Sequence, residues 1–324
     1  MFGVLNGTEI QTIVPSTRDM YTAWVEKKSR NYDDPPIPNR LFHDVQPLET
    51  GRDSAILWLG DRYRAKKVVL FLHGGGGVIP ACAGHANWAW NAYVMAGAEA
   101  GIEVAVAFLQ YTLAPRGQLP IPLLQAIAAL NLVLAQGFQP QDIIVGGDSV
   151  GGNLTMQLLG HLLHPQPAVP SIKITGPLQA AFLVSPALGS SMSYKSFEDN
   201  FQCDMICGPI VQKLVLQSLP RHLHGTLDSS PIPWAQPLQA PPGFFGGMDS
   251  VVRQIYISYG EFEVLADHSR VMAGIIRKEA PGLVLRVDEG AREPHDGILL
   301  ENFIMRPGRA TEVMKAWFLS VIYT

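Results

Sequence analysis

The sequence predicts an α/β fold built on a mostly parallel sheet with helices on both faces. Short, continuous apolar runs at 67–72, 102–109 and 180–184 have the length and composition of strands buried on both faces. Amphipathic or apolar helical segments at 120–134 and 150–163 alternate with them. Repeated units of this kind form parallel sheets with right-handed crossovers, and their chemistry lies at the carboxyl ends of the strands.

Further strands and helices extend this pattern on both sides. The runs 41–48 and 54–59 flank a turn at 51–53, so we expect them to open the sheet as an antiparallel pair. A helix is predicted over 87–100, with Asn87 as its N-cap. The later predicted elements are a strand at 253–258, a helix at 265–278, a strand at 283–287 and a helix at 311–323.

Two segments fall outside the alternation and predict a cap over the sheet. Residues 1–40 hold a helical stretch at 17–30, followed by a proline-rich break. Residues 188–251 are irregular and rich in aromatic residues and proline, with one helix predicted at 208–218. Long irregular connections within a compact domain are usually functional. We therefore expect a single domain over residues 1–324, with 1–40 and 188–251 as cap segments.

The composition of the chain limits the kinds of molecule with which we expect the protein to interact. Of the 324 residues, 47% are hydrophobic and 16% are charged, and the net charge of −4 argues against nucleic acid. No run reaches the roughly 18 apolar residues of a membrane span, and residues 1–16 lack the features of a secretory signal. Three cysteines are too few for a disulfide framework, and Cys203 and Cys207 lack a second ligand pair for zinc. We therefore expect a cytoplasmic protein with neither metal nor cofactor.

A serine between two glycines follows the strand predicted at 141–145. In Gly147-x-Ser149-x-Gly151 a strand feeds a sharp turn and a helix leaves it, which is the pattern of a nucleophile elbow. The turn is so tight that side chains at the two glycine positions would collide. The amide of Val150 lies at the helix N-terminus, where it can stabilise an oxyanion. The pattern therefore predicts a serine nucleophile.

Four glycines, at 74–77, follow a buried strand and His73. Glycine allows backbone amides to turn inward and to approach another group closely. The amides of Gly75 and Gly76 are therefore candidate donors to an oxyanion. We expect His73 to hold this loop by hydrogen bonds rather than to take part in the chemistry.

A serine nucleophile needs a histidine as base and a carboxylate that orients the histidine. His295 lies in the loop after the strand at 283–287, and it is the only histidine after His268. The loop after the preceding strand supplies three candidate acids, Glu261, Glu263 and Asp267. The chain order of serine, acid and histidine is one that hydrolases with this elbow use.

Four motifs together resemble the hormone-sensitive-lipase group of the α/β-hydrolases. They are His73-Gly74-Gly75-Gly76, Tyr111-x-Leu113-Ala114-Pro115 followed by Pro120, Gly147-Asp148-Ser149-Val150-Gly151-Gly152-Asn153, and Phe262-Glu263-Val264-Leu265-Ala266-Asp267. They occur in the family's order and, with His295, extend over most of the chain. The resemblance implies an α/β-hydrolase fold and hydrolysis of a carboxylic ester through an acyl-enzyme.

The resemblance also implies roles for individual residues. Ser149 is the nucleophile, His295 the general base and Glu263 the acid. Asp267 then remains to pin the following helix. The oxyanion hole is formed by the backbone amides of Gly75, Gly76 and Val150.

The sequence departs from the family's pattern at several positions. Gln110 stands where an acidic residue is common, and Val150 where alanine is usual. Glu263 replaces the more common aspartate, and Asp296-Gly297 follows the histidine where many members have phenylalanine at the second position. None of these changes removes a catalytic group, so they bear on substrate range more than on activity.

The expected substrate is a small or medium apolar ester. Candidate pocket residues are Trp88, Phe201, Met205 and Trp234, although such residues also suit a packed core. Acyl transfer, lactone opening or amide hydrolysis at the same triad are alternative reactions. A non-catalytic binding protein on the same scaffold is a less favoured alternative, because all three triad candidates are present. A second copy of the chain is a candidate partner, which would form a homodimer.

Overall fold

The computed structural model describes residues 5–30, 40–50, 53–220 and 233–323. Its strands are β1 (Asp44–Pro47), β2 (Ala55–Leu59), β3 (Lys67–Leu72), β4 (Val104–Gln110), β5 (Ile143–Asp148), β6 (Ala180–Val184), β7 (Gln254–Gly260) and β8 (Val284–Gly290). Within these ranges the strands form one sheet in the order β1-β2-β4-β3-β5-β6-β7-β8. β2 is antiparallel to β1 and β4, and the other neighbours are parallel. The predicted α/β fold with an antiparallel opening is therefore confirmed.

Helices cover both faces of the sheet. They are α1 (Gly7–Ile13), α2 (Thr17–Ser29), α3 (Ala83–Ala89), α4 (Ala96–Glu99), α5 (Ile121–Ala135), α6 (Val150–Leu163), α7 (Ser196–Asp199), α8 (Gly208–Ser218), α9 (Ala266–Glu279), α10 (Gly297–Phe303) and α11 (Arg309–Ile322). A π-helical stretch, Trp90–Met95, joins α3 to α4. In the described part of the chain, no helix combines the length and apolarity needed to cross a membrane.

The sheet separates two layers of apolar side chains. Leu70 and Val145 point into the layer that α5, α6 and α9 cover. Phe71 and Ile144 point into the opposite layer, which α2, α3 and α11 cover. Successive side chains of a strand alternate between the two faces. Because both faces are buried, the central strands have the continuous apolar sequences from which they were predicted.

The helix predicted from Asn87 begins earlier in the chain. α3 starts at Ala83, and its N-cap is Cys82, which has an extended backbone. Asn87 lies inside the helix, where its Oδ1 accepts a hydrogen bond from Trp24 Nε1 at 2.8 Å. The prediction of Asn87 as an N-cap is wrong, because its side chain bonds to a neighbouring helix and not to its own backbone.

The two described helices of the predicted N-terminal cap segment make different contacts. In α1, the amide of Gly7 donates to Gln217 Oε1 of α8 at 3.1 Å, so these two helices are joined. In contrast, α2 packs Trp24 into the main core and belongs to the body of the domain. Within the predicted cap segments, residues 31–39 and 221–232 lie outside the described residues.

The end of the insertion also packs on the body of the domain. Phe245 and Met248 are fully buried in the same apolar layer as α6 and α9. The cap formed by residues 1–40 and 188–251 stays a prediction.

The strand register brings the ends of the central strands to one edge. Leu72 of β3 pairs with Gly147 of β5. Asp148 pairs with Val184 of β6, which in turn pairs with Ser258 of β7. The loops after these strands therefore leave the sheet side by side, as expected for the site of an α/β protein.

Candidate active site

Ser149 lies at the turn between β5 and α6 in a strained backbone conformation. Its φ is 51° and its ψ is −116°, values that residues other than glycine rarely adopt. Its amide donates to Val184 O at 2.8 Å, and its carbonyl accepts from Asn153 N at 3.1 Å and from Ala187 N at 3.0 Å. These bonds fix the turn and place the serine at the N-terminus of α6, as a nucleophile elbow requires.

The glycines on either side of Ser149 are required by the neighbouring strand. A Cβ atom at Gly147 or at Gly151 would overlap the carbonyl oxygen of Leu72, the last residue of β3. Leu72 pairs with Gly147 in the parallel ladder, so its main chain cannot withdraw without breaking the sheet. The collision predicted from the sequence is therefore chiefly with β3, and not between two flanking side chains.

Gly75 and Gly76 adopt backbone conformations that favour glycine, with φ values of 93° and 63°. A Cβ atom at Gly76 would also meet the side chain of Leu214 in α8. Both glycines line the same cavity as Ser149 and Val150. Among the described residues, the amides of Gly75, Gly76 and Val150 donate no hydrogen bond. The three residues predicted to donate to an oxyanion therefore line the same cavity as the serine, and their amides have no partner in the described part of the chain.

Two buried side chains hold the glycine loop against the elbow. Asp148 Oδ1 accepts a hydrogen bond from Gly74 N at 3.0 Å, and its Oδ2 lies 3.2 Å from His85 Nε2. His73 Nδ1 donates to Gly74 O at 2.8 Å. Burial lowers the pKa of His73 to about 3, so this imidazole is neutral. His73 thus has the loop-holding role predicted for it.

The structure brings His295 and Glu263 together and leaves the two rival acids elsewhere. Glu263 Oε2 lies 3.6 Å from His295 Nδ1, and both side chains are buried. This distance is longer than a hydrogen bond, as is common in catalytic pairs without substrate. Glu261 instead accepts a hydrogen bond from the backbone of the loop after β8. Asp267 forms an ion pair with Arg270 at 2.9 Å, in the first turns of α9.

Asp296 is a residue of the site that sequence reasoning did not assign. Its Oδ2 lies 3.1 Å from His295 Nε2, the ring nitrogen opposite the one that faces Glu263. Across the described ranges, no hydrogen bond joins Ser149 to His295. The left-handed backbone of Asp296, with φ 53°, places its carboxylate beside the imidazole. Aspartate tolerates this conformation, so the Asp-Gly pair after the histidine is the signal that could have revealed it.

Burial and the neighbouring carboxylates shift the pKa of the His295 imidazole in opposite directions. Burial lowers the pKa of His295, but Asp296 and Glu263 outweigh it, so the pKa lies well above its usual value. Burial also raises the pKa of Glu263, and it raises the pKa of Asp296 to about 6. In this arrangement the two carboxylates therefore favour the protonated form of His295.

A cavity of about 180 Å³ connects the groups of the site. Ser149, His295 and Asp296 line one part of it, and the remaining wall is mainly apolar. Met205, a predicted pocket residue, lies on that wall, together with Leu214 of α8. Over the ranges that the structure covers, no group of three or more His, Cys, Asp or Glu side chains could hold a metal ion.

The other three predicted pocket residues do not line this cavity. Trp88 is fully buried in the core, with its ring centroid 4.8 Å from that of Phe71. Phe201 is 57% exposed, on the outside of the insertion. Trp234 does not line the cavity either, since its Nε1 donates to His164 O at 3.1 Å and the neighbouring Ala235 contributes to the wall instead. These predictions are wrong, because helical spacing and aromatic character do not specify which surface a side chain meets.

Residues 69–296 match a family model described as the alpha/beta hydrolase fold, and the chain therefore belongs to that family. The match extends from β3 to the residue after His295, so it contains the elbow, the glycine loop and the triad candidates. It confirms the predicted fold class. It also confirms, at the level of family and fold, the resemblance to the hormone-sensitive-lipase group.

Solved structures share this fold over nearly the whole chain. An esterase from the bacterial hormone-sensitive lipase family has a TM-score of 0.67 at 23% identity, covering 97% of this chain and 94% of that one. Carboxyl esterase 2 from the mycorrhizal fungus Tuber melanosporum has a TM-score of 0.69 at 17% identity, covering 90% of this chain and 89% of that one. At these identities the similarity shows the fold alone.

Two curated relatives match a shorter stretch. Arylacetamide deacetylase of Oryctolagus cuniculus is 28% identical over 156 residues, which is 46% of this chain and 37% of the relative. An esterase of Acinetobacter venetianus is 25% identical over 142 residues, which is 44% of this chain and 42% of the relative. The chain therefore spans less than half the length of each of these relatives in the match.

Proposed function

We propose that the protein hydrolyses carboxylic esters of small or medium apolar substrates through a serine acyl-enzyme. The observation that carries the proposal is the convergence of Ser149, His295 and three free backbone amides on one largely apolar cavity. Membership of the α/β-hydrolase family supports it, as do relatives named esterase and deacetylase.

In the proposed mechanism, His295 Nε2 takes the hydroxyl proton of Ser149 and the oxygen attacks the ester carbonyl. Glu263 orients the ring through Nδ1 and stabilises the imidazolium that forms. The developing oxyanion is stabilised by the amides of Gly75, Gly76 and Val150, the last at the positive end of α6. The alcohol leaves with the proton from His295. Water then attacks the acyl-enzyme with His295 again as the base, and the acid is released.

The size and lining of the cavity support the proposed substrate range. A cavity of about 150 Å³ in another protein accommodates benzene, so about 180 Å³ suits a phenyl ring or a short acyl chain. Met205, Val211 and Leu214 supply apolar surface, and no Lys or Arg side chain is among the described lining residues. A bulky or strongly anionic acyl group is therefore disfavoured.

Amide hydrolysis is the second candidate, because one relative is named arylacetamide deacetylase. The same serine, oxyanion donors and histidine would act, with an amine in place of the alcohol as leaving group. Paired measurements on p-nitrophenyl acetate and p-nitroacetanilide distinguish the two reactions.

Acyl transfer and lactone opening remain alternatives at the same serine, and product analysis with competing alcohols separates them. The cytoplasmic location and the homodimer stay predictions.

Three variants test the proposed chemistry on p-nitrophenyl butyrate. Ser149→Ala should lower kcat by at least about ten-thousandfold and abolish labelling by a fluorophosphonate. Glu263→Gln should lower kcat by on the order of a thousandfold or more. Asp267→Asn is the matched control, since it makes the same carboxylate-to-amide change outside the cavity, and kcat should stay within about threefold. Hydrolysis retained by Ser149→Ala would contradict the nucleophile, and a greater loss in Asp267→Asn than in Glu263→Gln would contradict the acid.

A further inference from the structure

The proposed mechanism does not use one carboxylate that touches the catalytic base. Asp296 Oδ2 lies 3.1 Å from His295 Nε2, whereas Glu263 Oε2 lies 3.6 Å from Nδ1. Asp296 is only 3% exposed and lines the cavity beside Ser149. The imidazole thus lies between two carboxylates. The nearer one, Asp296, contacts Nε2, which is the nitrogen that must face the serine.

The backbone of Asp296 is fixed independently of its side chain. The residue is left-handed, with φ 53° and ψ 45°, and α10 begins at the next position, Gly297. Its amide donates to Ser185 Oγ at 3.0 Å. A substitution that keeps this backbone and changes only the side-chain charge is therefore available. Asparagine is such a substitution, since it tolerates the left-handed region.

The charged groups around His295 are mainly carboxylates, and they come from several elements of the fold. From the loop before α8, Asp204 accepts hydrogen bonds from the amides of His295 at 2.9 Å and Val264 at 2.7 Å. From the loop after β7, Glu263 faces Nδ1. From the elbow, Asp148 acts on Asp296 at longer range, although it is itself paired with His85. No Lys or Arg of the described residues lines the cavity to offset these carboxylates.

We propose that Asp296 is a positioning residue, whose carboxylate forms an ion pair with protonated His295 at Nε2 and competes with the Ser149 hydroxyl for that nitrogen. The inference rests on the ester hydrolysis proposed above. To act as base, His295 must lose its Nε2 proton to water, and the free nitrogen must then accept a hydrogen bond from Ser149. The Nδ1 proton stays on the ring, facing Glu263, throughout.

A negative charge beside Nε2 favours the protonated imidazole and so opposes this loss. Asp296 therefore raises the pH at which hydrolysis begins, compared with a site in which Glu263 alone faced His295. Neutralising Asp296 should move the onset in the opposite direction.

Asp296→Asn tests the inference through the pH dependence of kcat/KM for p-nitrophenyl butyrate, from about pH 5 to about pH 9. The midpoint of the acid limb should fall by at least about one pH unit, so that kcat/KM well below it rises roughly tenfold. Glu261→Gln is the matched control, because it removes an exposed carboxylate from a neighbouring loop, and the acid limb should stay in place.

A second readout does not depend on turnover. The ring signals of His295 in NMR spectra, assigned by their loss in His295→Asn, should titrate at lower pH in Asp296→Asn by a similar shift. An acid limb and a ring titration that both stay in place in folded Asp296→Asn would overturn the inference while leaving ester hydrolysis intact. Absence of hydrolysis by the wild type at every pH would instead overturn the proposed function, and the inference with it.

Discussion

Replacing Ser149 with glycine should leave the protein more stable than replacing it with alanine. Both variants lack the hydroxyl, but only alanine keeps a Cβ atom at a position with φ 51° and ψ −116°. A residue other than glycine in a sparsely populated region costs about 1–3 kcal/mol. Glycine in turn loses about 0.4–1 kcal/mol more backbone entropy on folding than alanine. The difference favours glycine by roughly 0.5–2 kcal/mol in the free energy of unfolding.

Urea unfolding followed by tryptophan fluorescence measures this difference, because the two variants should share one m-value. Ser171 supplies the matched control: it is exposed, lies outside helix and strand, and is not among the residues with positive φ. There the alanine variant should be the more stable one, by about 0.4–1 kcal/mol. If the variants at Ser149 differ in the same direction as those at Ser171, the elbow does not store backbone strain in the nucleophile.

Three other changes test the surroundings of the nucleophile. Asp148→Asn should lower kcat by on the order of 10- to 100-fold with little change in KM, because the carboxylate holds the Gly74 amide beside the oxyanion donors; steady-state kinetics in which KM rises instead would contradict this. Leu214→Ala should raise kcat/KM for p-nitrophenyl octanoate relative to butyrate by about threefold or more, because Leu214 forms part of the cavity wall; an unchanged ratio in a chain-length series would count against that wall. His268→Asn should reduce the loss of stability on acidification by up to roughly 1.4 kcal/mol per pH unit. Burial lowers the pKa of His268 to about 4, so from about pH 6.5 downward the unfolded chain binds a proton that the native state excludes. Urea unfolding at several pH values checks this slope, and equal slopes in the variant and the wild type would refute it.

The bounds of strands and helices that depend on the local sequence could be predicted closely. The strand at 67–72 and the helices at 150–163 and 208–218 have the bounds that their apolar patterns indicate. The reason is that buried strands in a parallel sheet carry an almost unbroken apolar sequence, and that Gly-x-Ser-x-Gly fixes where strand ends and helix begins. The order of the site residues along the chain followed from the same patterns.

Features that depend on contacts between distant segments could not be predicted. Trp88 suits a pocket and a core equally well until the layer that it faces is known. The sequence marks Asp296 as unusual, but only the left-handed backbone shows that its carboxylate reaches Nε2 of the histidine. Likewise, nothing within 7–13 indicates that this short helix is joined to α8, since that contact spans about 210 positions of the chain. Such contacts arise from the tertiary arrangement and leave no periodic signal in the sequence.

The two glycines that flank Ser149 differ from Gly160 of α6 in how they can evolve. At Gly160, a Cβ atom would meet the ring of Phe244 at 3.2 Å, so a smaller residue at 244 would make room for alanine. At Gly147 and Gly151 the obstacle is the main-chain oxygen of Leu72, which every amino acid at that position would present equally. No side-chain substitution at the neighbouring strand can therefore compensate for their loss. A genetic screen for suppressors should recover second-site revertants of Gly160→Ala but only true revertants of Gly147→Ala or Gly151→Ala.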